Sequence, residues 1–239
     1  MAFIRCGGRF GNQMFQTAAC YAHSKRVGER CYTHAPALVR FPNIAKYITF
    51  CEDMPTDARY MQKRQKNSLF WCNDDLPPRD VNLRLVGCFE SVRYFYDCED
   101  DIRDMYWTPQ SAEANVGVHI RRTDFLNSTD KHLELGLNWY WRALSLLNAD
   151  NVIVCSDDIN WCRRHIQWPH MIFSDIRNSF LDWCRLNSCK DIIMANSTYS
   201  WWAGYLGHHD RVIYPRRWFK NQTESELFRY VNGWIILDN

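Results

Sequence analysis

A chain of 239 residues is long enough to bury a sizeable core, as one large domain or two small ones. Its charged fraction of 23% and formal net charge of +2 do not fit a nucleic-acid coat or a polybasic membrane anchor, so any positive site must be local. No signal-peptide core precedes the glycines after Cys6, and no apolar run nears the ~18 residues of a membrane span, so a cytoplasmic protein or a soluble domain of a larger one is expected.

Ala2 to Cys6 has the pattern of a short strand, followed by the glycine turn Gly7-Gly8-Arg9-Phe10-Gly11-Asn12. From Gln13 to Arg26, Met14, Ala18, Tyr21, Ala22 and Lys25 recur at helical spacing. Strand, glycine turn and helix open a nucleotide-type α/β unit, yet the third glycine of G-x-G-x-x-G and the P-loop lysine are both missing. Close helix–strand packing explains the turn equally well. Glu29 to Thr33 is a candidate second strand. Ala35 to Pro78 is irregular, punctuated by Pro36, Pro42, Pro55, Pro77 and Pro78. Asn82 to Phe89 reads as a strand and Ser91 to Met105 as an acidic helix, with Glu99-Asp100-Asp101 as a solvated face. Trp107-Thr108-Pro109-Gln110 is a linker, which places a domain boundary after residue 108.

Val116, Val118 and Ile120 then alternate as in a strand with one buried face. That strand runs into His119, Arg121, Arg122, Thr123 and Asp124. Leu137 to Leu147 is an aromatic amphipathic helix. Val152 to Cys155 is a strand ending in Ser156-Asp157-Asp158, and either aspartate can cap a helix over Ile159 to Ile166. Met171 to Phe173 is a strand and Ser179 to Cys189 a helix. Asp191 to Met194 is a strand that ends in Ala195-Asn196-Ser197-Thr198-Tyr199-Ser200, and Trp201 to Leu206 is a helix. Arg211 to Tyr214 is a last strand stopped by Pro215, and Glu224 to Tyr230 a terminal helix. This alternation predicts a parallel sheet with helices on both faces. The 11 cysteines are scattered and form no C-x-x-C, which points to buried free thiols rather than a zinc ribbon.

Polar clusters recur at the ends of predicted strands: Gly7 to Asn12, His119 to Asp124, Ser156 to Asp158 and Asn196 to Ser200. In open α/β sheets those ends face the ligand crevice, and the clusters outline a crevice between two α/β lobes. Adjacent arginines at such a place imply an anionic ligand, here a phosphorylated donor. A diphosphate leaving group needs its developing charge stabilised by a divalent metal or by fixed donors. The chain contains no Asp-x-Asp of the kind metal-dependent sugar transferases commonly use. Arg121 and the Ser197-Thr198-Tyr199-Ser200 turn supply guanidinium, hydroxyl and amide donors instead. Arg122 serves equally as a surface or interdomain salt bridge. One of Asp157 and Asp158 caps a helix, while the other accepts from a ribose or a purine N–H edge. Asp124 orients an arginine through a buried ion pair. His119 is a nucleotide contact or a satisfied core histidine, and Asn12 positions a sugar hydroxyl or stiffens its loop. The sequons at Asn127, Asn196 and Asn221 are read as chance, since a glycan on Asn196 would block the site.

Taken together these residues resemble the α-1,2-fucosyltransferases of glycosyltransferase family 11. The matching blocks are Gly8-Arg9-Phe10-Gly11-Asn12-Gln13-Met14-Phe15-Gln16, Gly87-Cys88-Phe89-Glu90-Ser91 with Tyr94-Phe95, and His119-Ile120-Arg121-Arg122-Thr123-Asp124. They continue with Cys155-Ser156-Asp157-Asp158, Trp161-Cys162, Ala195 to Trp202 and Pro215-Arg216-Arg217-Trp218-Phe219. The first and third blocks are also similar to those of α-1,6- and protein O-fucosyltransferases. The resemblance implies an α/β, GT-B-like fold of two Rossmann-like lobes with a donor cleft between them. Residues 1–108 would form the acceptor-side lobe and 109–222 the GDP-sugar lobe, with 223–239 a helix and tail that could return to the first lobe. It also implies GDP-β-L-fucose as donor, a glycan acceptor, inversion, and no metal or other cofactor. Arg121, Asn12 and Asp124 would be catalytic. His119, Arg122, Gly11, Asp157, Asp158, Asn196, Ser197, Thr198 and Ser200 would bind the donor.

The general base is not identified by the sequence; Glu90, Asp130, His132 and Glu134 are the candidates. Two other readings stand beside this one. Another GDP-deoxysugar could be the donor, or the chain could be a carbohydrate-binding protein without turnover, with Trp201 and Trp202 stacking on sugars. The incomplete glycine fingerprint makes a nucleotide-dependent dehydrogenase a poor fit.

Overall fold

The computed structural model describes residues 1–52, 60–64, 82–110, 114–127, 132–176, 178–220 and 230–239. They form two compact units, Met1–Thr108 and Pro109–Asn239. The division falls inside the linker expected from Trp107 to Gln110.

The first unit contains β1 (Ala2–Arg5), α1 (Phe10–Val27), β2 (Cys31–His34), β3 (Thr49–Phe50), β4 (Tyr60–Arg64), β5 (Asn82–Val86) and α2 (Glu99–Met105). Its sheet has the order β3-β2-β1-β5-β4, and every pairing is parallel. The strands β3 and β4 come from the stretch that sequence patterning left irregular. The helix α1 begins at Phe10 rather than Gln13, so Gly11 and Asn12 lie in its first turn, not in a loop. The sharp turn is confined to Gly8, whose φ of +74° is costly for a residue with a Cβ. The predicted helix over Ser91 to Met105 is only half realised. Two short 3₁₀ turns, Val92–Tyr94 and Tyr96–Cys98, precede α2. They bring Phe95 into the core, where it is fully buried against Phe15. The acidic run is not wholly solvated either: Asp101 accepts a 2.7 Å hydrogen bond from the Tyr21 hydroxyl and pairs with Lys25.

The second unit contains β6 (Val116–Ile120), α3 (Thr123–Asn127), α4 (Leu137–Leu147), β7 (Val152–Ser156), α5 (Ile159–His165) and β8 (Met171–Phe173). It continues with α6 (Ser179–Ser188), β9 (Asp191–Ile193), α7 (Thr198–Leu206), β10 (Arg211–Pro215) and β11 (Ile235–Leu237). The sheet order is β11-β10-β9-β6-β7-β8, again all parallel. Counted from β6, this is the 3-2-1-4-5-6 order of dinucleotide-binding sheets, with the reversal between β6 and β9. Each sheet is therefore of the α/β type expected for a GT-B-like chain.

Every residue of β6 is buried, so the single buried face inferred from its alternation is corrected: a central strand of a parallel sheet is covered on both sides. Gly117 makes that cover possible on the α6 side. A Cβ there would sit 3.0 Å from Cys189 Sγ and 3.2 Å from Leu186 Cδ2.

The chain end also differs from expectation. Ile235–Leu237 pairs with Ile213–Pro215 as an edge strand of the second sheet, where a helix and tail were expected. The terminal helix expected over Glu224 to Tyr230 falls outside the described residues except for Tyr230. Trp201 and Trp202 are completely buried and pack edge-to-face at 5.1 Å. They are core, which removes them as sugar platforms. Cys20, Cys31, Cys98, Cys155 and Cys162 are buried free thiols. Among the described residues no helix is long and apolar enough to cross a membrane.

Gly117→Val would force α6 away from β6. Overpacking of this kind is expected to lower the unfolding free energy by about 2 kcal/mol, read by denaturant titration. An unchanged midpoint would mean that α6 does not depend on the missing side chain.

Candidate functional site

In open parallel sheets the crevice lies at the carboxyl ends of the strands where the order reverses. In the second unit those ends are His119 to Arg122 after β6 and Met194 to Ser197 after β9. The next strand over, β7, delivers Asp157 and Asp158.

Arg121 has a side chain only 12% exposed and lies between two carboxylates. Its Nη2 donates to Asp124 Oδ2 at 2.7 Å, and its Nη1 lies 3.0 Å from Asp157 Oδ2. A guanidinium has five N–H donors, and among the described residues the carboxylates of Asp124 and Asp157 face two of them. The Asp124 ion pair is present as expected, but the Asp124 side chain is 44% exposed. The more deeply buried partner is Asp157, at 15%.

Arg122 is held differently. Its guanidinium carbon stands 3.5 Å from the centroid of the Trp161 ring, and its Nη1 pairs with Glu134. Its Nε is 3.9 Å from Asp158 Oδ2. These contacts tie the β6 end to α5 and to the segment before α4. The two adjacent arginines therefore have different partners.

The aspartate pair also divides. Asp158 is the cap of α5: its Oδ1 accepts from Trp161 N at 3.1 Å. Asp157 accepts from Arg122 N at 2.9 Å through Oδ1 and from Thr123 Oγ1 at 2.5 Å through Oδ2.

His119 is 4% exposed, its ring 4.9 Å from that of Tyr199 on α7. Burial, reinforced by the Arg121 cation, pushes its pKa from 6.5 down to about 3, although the Asp157 carboxylate opposes this. It is a neutral imidazole, and its Nδ1 has no hydrogen-bond partner among the described residues. Tyr199 is fixed by its own hydroxyl, which donates to Ser179 O at 2.5 Å.

The turn predicted at Ser197 to Ser200 is the first turn of a nine-residue helix, α7, with Ser197 as N-cap. Ser197 Oγ accepts from Tyr199 N at 3.4 Å, and the Thr198 backbone opens the helix, where positive N-terminal charge favours anions. Asn196 and Ser200 are buried and donate to the protein's own backbone. Asn196 is 3% exposed and donates to Leu133 O at 2.6 Å and Trp218 O at 3.0 Å. Ser200 is fully buried and donates to Ala195 O at 3.1 Å.

Gly11 and Asn12 belong to the first unit. Gly11 is buried in α1, and Asn12 Nδ2 lies 3.4 Å from Glu90 Oε1, just beyond the end of β5. Gln16 joins the same strand ends, accepting from Gly7 N at 2.8 Å and donating to Gly87 O at 3.0 Å. Of the general-base candidates, His132 is stacked on Phe125 at 4.2 Å and Glu134 is bound by Arg122. Asp130 lies outside the described residues.

Sequence reading missed one polar group in the second unit. Asp182 on α6 accepts from Ser174 Oγ, which in turn accepts from Arg185 Nη1 at 2.9 Å. Burial raises the Asp182 carboxyl above the ordinary carboxylate range. No local motif announces this group, because Ser174 follows a strand and its partners lie on the next helix. Among the described residues no group of three or more His, Cys, Asp or Glu could hold a metal ion.

The chain matches the family model for glycosyl transferase family 11 over residues 75–238. It is 31% identical over 135 residues to an O-antigen biosynthesis glycosyltransferase of Escherichia coli, covering 51% of this chain and 44% of that one. It is 23% identical over 290 residues to an alpha-1,2-colitosyltransferase of Escherichia coli, covering 98% of both. It is 25% identical over 258 residues to galactoside alpha-(1,2)-fucosyltransferase 1 of Sus scrofa, covering 93% of this chain and 70% of that one. Its fold is similar to that of the α-1,6-fucosyltransferase NodZ soaked with GDP-fucose. There the TM-score is 0.52 at 14% identity, covering 88% of this chain and 93% of that one.

The depressed pKa of His119 sets a pH dependence of stability. As pH falls below 6.5 the unfolded chain takes up a proton at this position that the folded chain refuses, so stability is lost progressively toward pH 3. At about pH 5 the loss amounts to about 2 kcal/mol. A His119→Gln variant is expected to show a flatter stability curve between about pH 7 and pH 5, measured by urea unfolding. Equal slopes for the two proteins would show that His119 protonates in the fold.

Proposed function

The chain belongs to glycosyltransferase family 11, and on that premise we propose that it transfers L-fucose from GDP-β-L-fucose to a hydroxyl of a glycan acceptor. The product is an α-1,2 linkage to galactose, formed with inversion and without a metal. The observation that carries this reading is Arg121, held at the order reversal of the second sheet by carboxylates from two directions. The α-1,2 linkage and galactose rest on the relatives' names, and the donor on the GDP-fucose-soaked fucosyltransferase of similar fold.

In this reading Arg121 binds the pyrophosphate and stabilises the charge that develops on it as the glycosidic bond breaks. Asp124 orients the guanidinium. The amides and hydroxyls at Ser197 and Thr198 receive a phosphate at the start of α7. His119, neutral and with Nδ1 unengaged by the described residues, contacts the nucleoside. Gly11 and Asn12 are assigned by family resemblance, Asn12 as part of the catalytic centre and Gly11 as part of donor binding. With acceptor attack opposite the leaving group, good leaving-group stabilisation lowers the demand on a general base.

A second reading is favoured by the colitosyltransferase, whose alignment covers 98% of both chains. It keeps the site and replaces fucose by another GDP-linked deoxysugar.

Arg121→Ala is expected to reduce transfer from GDP-fucose by roughly 10²–10³-fold, and a chelator to leave the wild-type rate unchanged. Full activity in the variant would remove Arg121 from the site. A rate lost on chelation and restored by Mn²⁺ would overturn the metal-free assignment.

A further inference from the structure

Asp157 comes from a different strand than the arginines, and its carboxylate gathers donors from three consecutive residues. Arg122 N reaches Oδ1 at 2.9 Å, while Thr123 Oγ1 at 2.5 Å and Arg121 Nη1 at 3.0 Å converge on Oδ2. A carboxylate has about four acceptor positions, and Oδ2 already faces two donors. What remains is too little for the paired contacts a ribose or a purine edge would need.

The geometry also gives this carboxylate a mechanical advantage over Asp124. Asp124 is three residues from Arg121 on the same short segment, and its side chain is 44% exposed. It lies in the first turn of α3, on the same segment as the arginine it would have to hold. Asp157 follows β7, which pairs with β6 along its whole length from Val116↔Val152 to Ile120↔Ser156. It is anchored in the sheet, and it fixes the loop backbone at Arg122 and the guanidinium of Arg121 at once. Its neighbour Asp158 caps α5 and accepts from Trp161 N at 3.1 Å, which stiffens the chain on the other side.

We propose that Asp157 is a positioning residue: it acts through Arg121, setting the direction of the guanidinium toward the diphosphate, and makes no contact with the nucleoside. The inference rests on Arg121 being the diphosphate ligand. It replaces the role of nucleoside acceptor that the sequence offered for this residue.

The test is a double-mutant cycle on the full chain with GDP as the probe, read by calorimetric titration. Wild type, Asp157→Asn, Arg121→Ala and the double variant are compared. An Asn at this position can still accept from Arg122 N, but it presents no charge to Arg121. Contacting residues couple by up to about 10²-fold in an equilibrium constant, so Asp157→Asn is expected to weaken GDP binding by roughly 10-fold or more. In the Arg121→Ala background the same substitution is expected to change affinity less than about 2-fold. Asp157→Glu, which keeps the charge but moves it by one methylene, should show the same dependence on Arg121 if the Asn variant does not fold. Equal losses in both backgrounds would mean that Asp157 touches the ligand or supports the site independently, and would overturn the inference while leaving Arg121 in place. Wild-type affinity in Asp157→Asn would overturn it too. A wild-type protein that does not bind GDP would instead overturn the reading of the whole site.

Discussion

A guanidinium cannot give up its charge, so one whose side chain is 12% exposed must be compensated where it lies. In the second unit that requirement is met for Arg121 by Asp124 and Asp157, and the surrounding chain is arranged to keep them there. The strand β6 delivers the arginine, β7 delivers the second carboxylate, and their parallel register sets the two ends side by side. Arg122 then anchors the same loop to the face of Trp161. The consequence is a cation whose position is determined by the sheet rather than by the loop that carries it.

The charge balance of this neighbourhood matters for how an anion could be bound. Two arginines, Arg121 and Arg122, are met by Asp124, Asp157, Asp158 and Glu134. A site of that composition does not attract a diphosphate by excess positive charge. On the proposed function, the diphosphate is held by directed N–H groups from Arg121 and from the first turn of α7. Preorganised donors of this kind need no rearrangement as charge develops on a leaving group. His119 fits the same logic, since a neutral imidazole beside Arg121 adds no second cation and keeps its hydrogen-bonding capacity.

Much of this was legible in the sequence, because the second half of the chain signals its elements locally. The helix over Leu137 to Leu147 was read without error from its aromatic stripe, and β6 to β10 from their short apolar runs. The starts of α1 and α7 were placed three residues late. Arg9 caps α1 without a side-chain hydrogen bond, and Ser, Thr and Tyr at the start of α7 read as loop formers although Ser197 is its cap. The sequence analysis assigns no strand to β11, although Trp234-Ile235-Ile236-Leu237 is itself a short apolar run; coming after an expected terminal helix, it stood outside the strand–helix alternation. At the site, residue types pointed to an anion, but the division of labour did not follow from them. Which arginine faces Trp161, and which one Asp157 holds, depends on partners 12 to 39 positions away in the chain.

The account stands most directly on the claim that the second unit presents a guanosine-diphosphate site built on Arg121. Thermal unfolding of the full chain against a panel of GDP, GDP-fucose, UDP and UDP-sugars measures it. A ligand at about 100 times its dissociation constant should stabilise the protein by about 2.7 kcal/mol. A shift of that size is expected with GDP and GDP-fucose and none with the uridine nucleotides. A shift given only by UDP-linked compounds would contradict it.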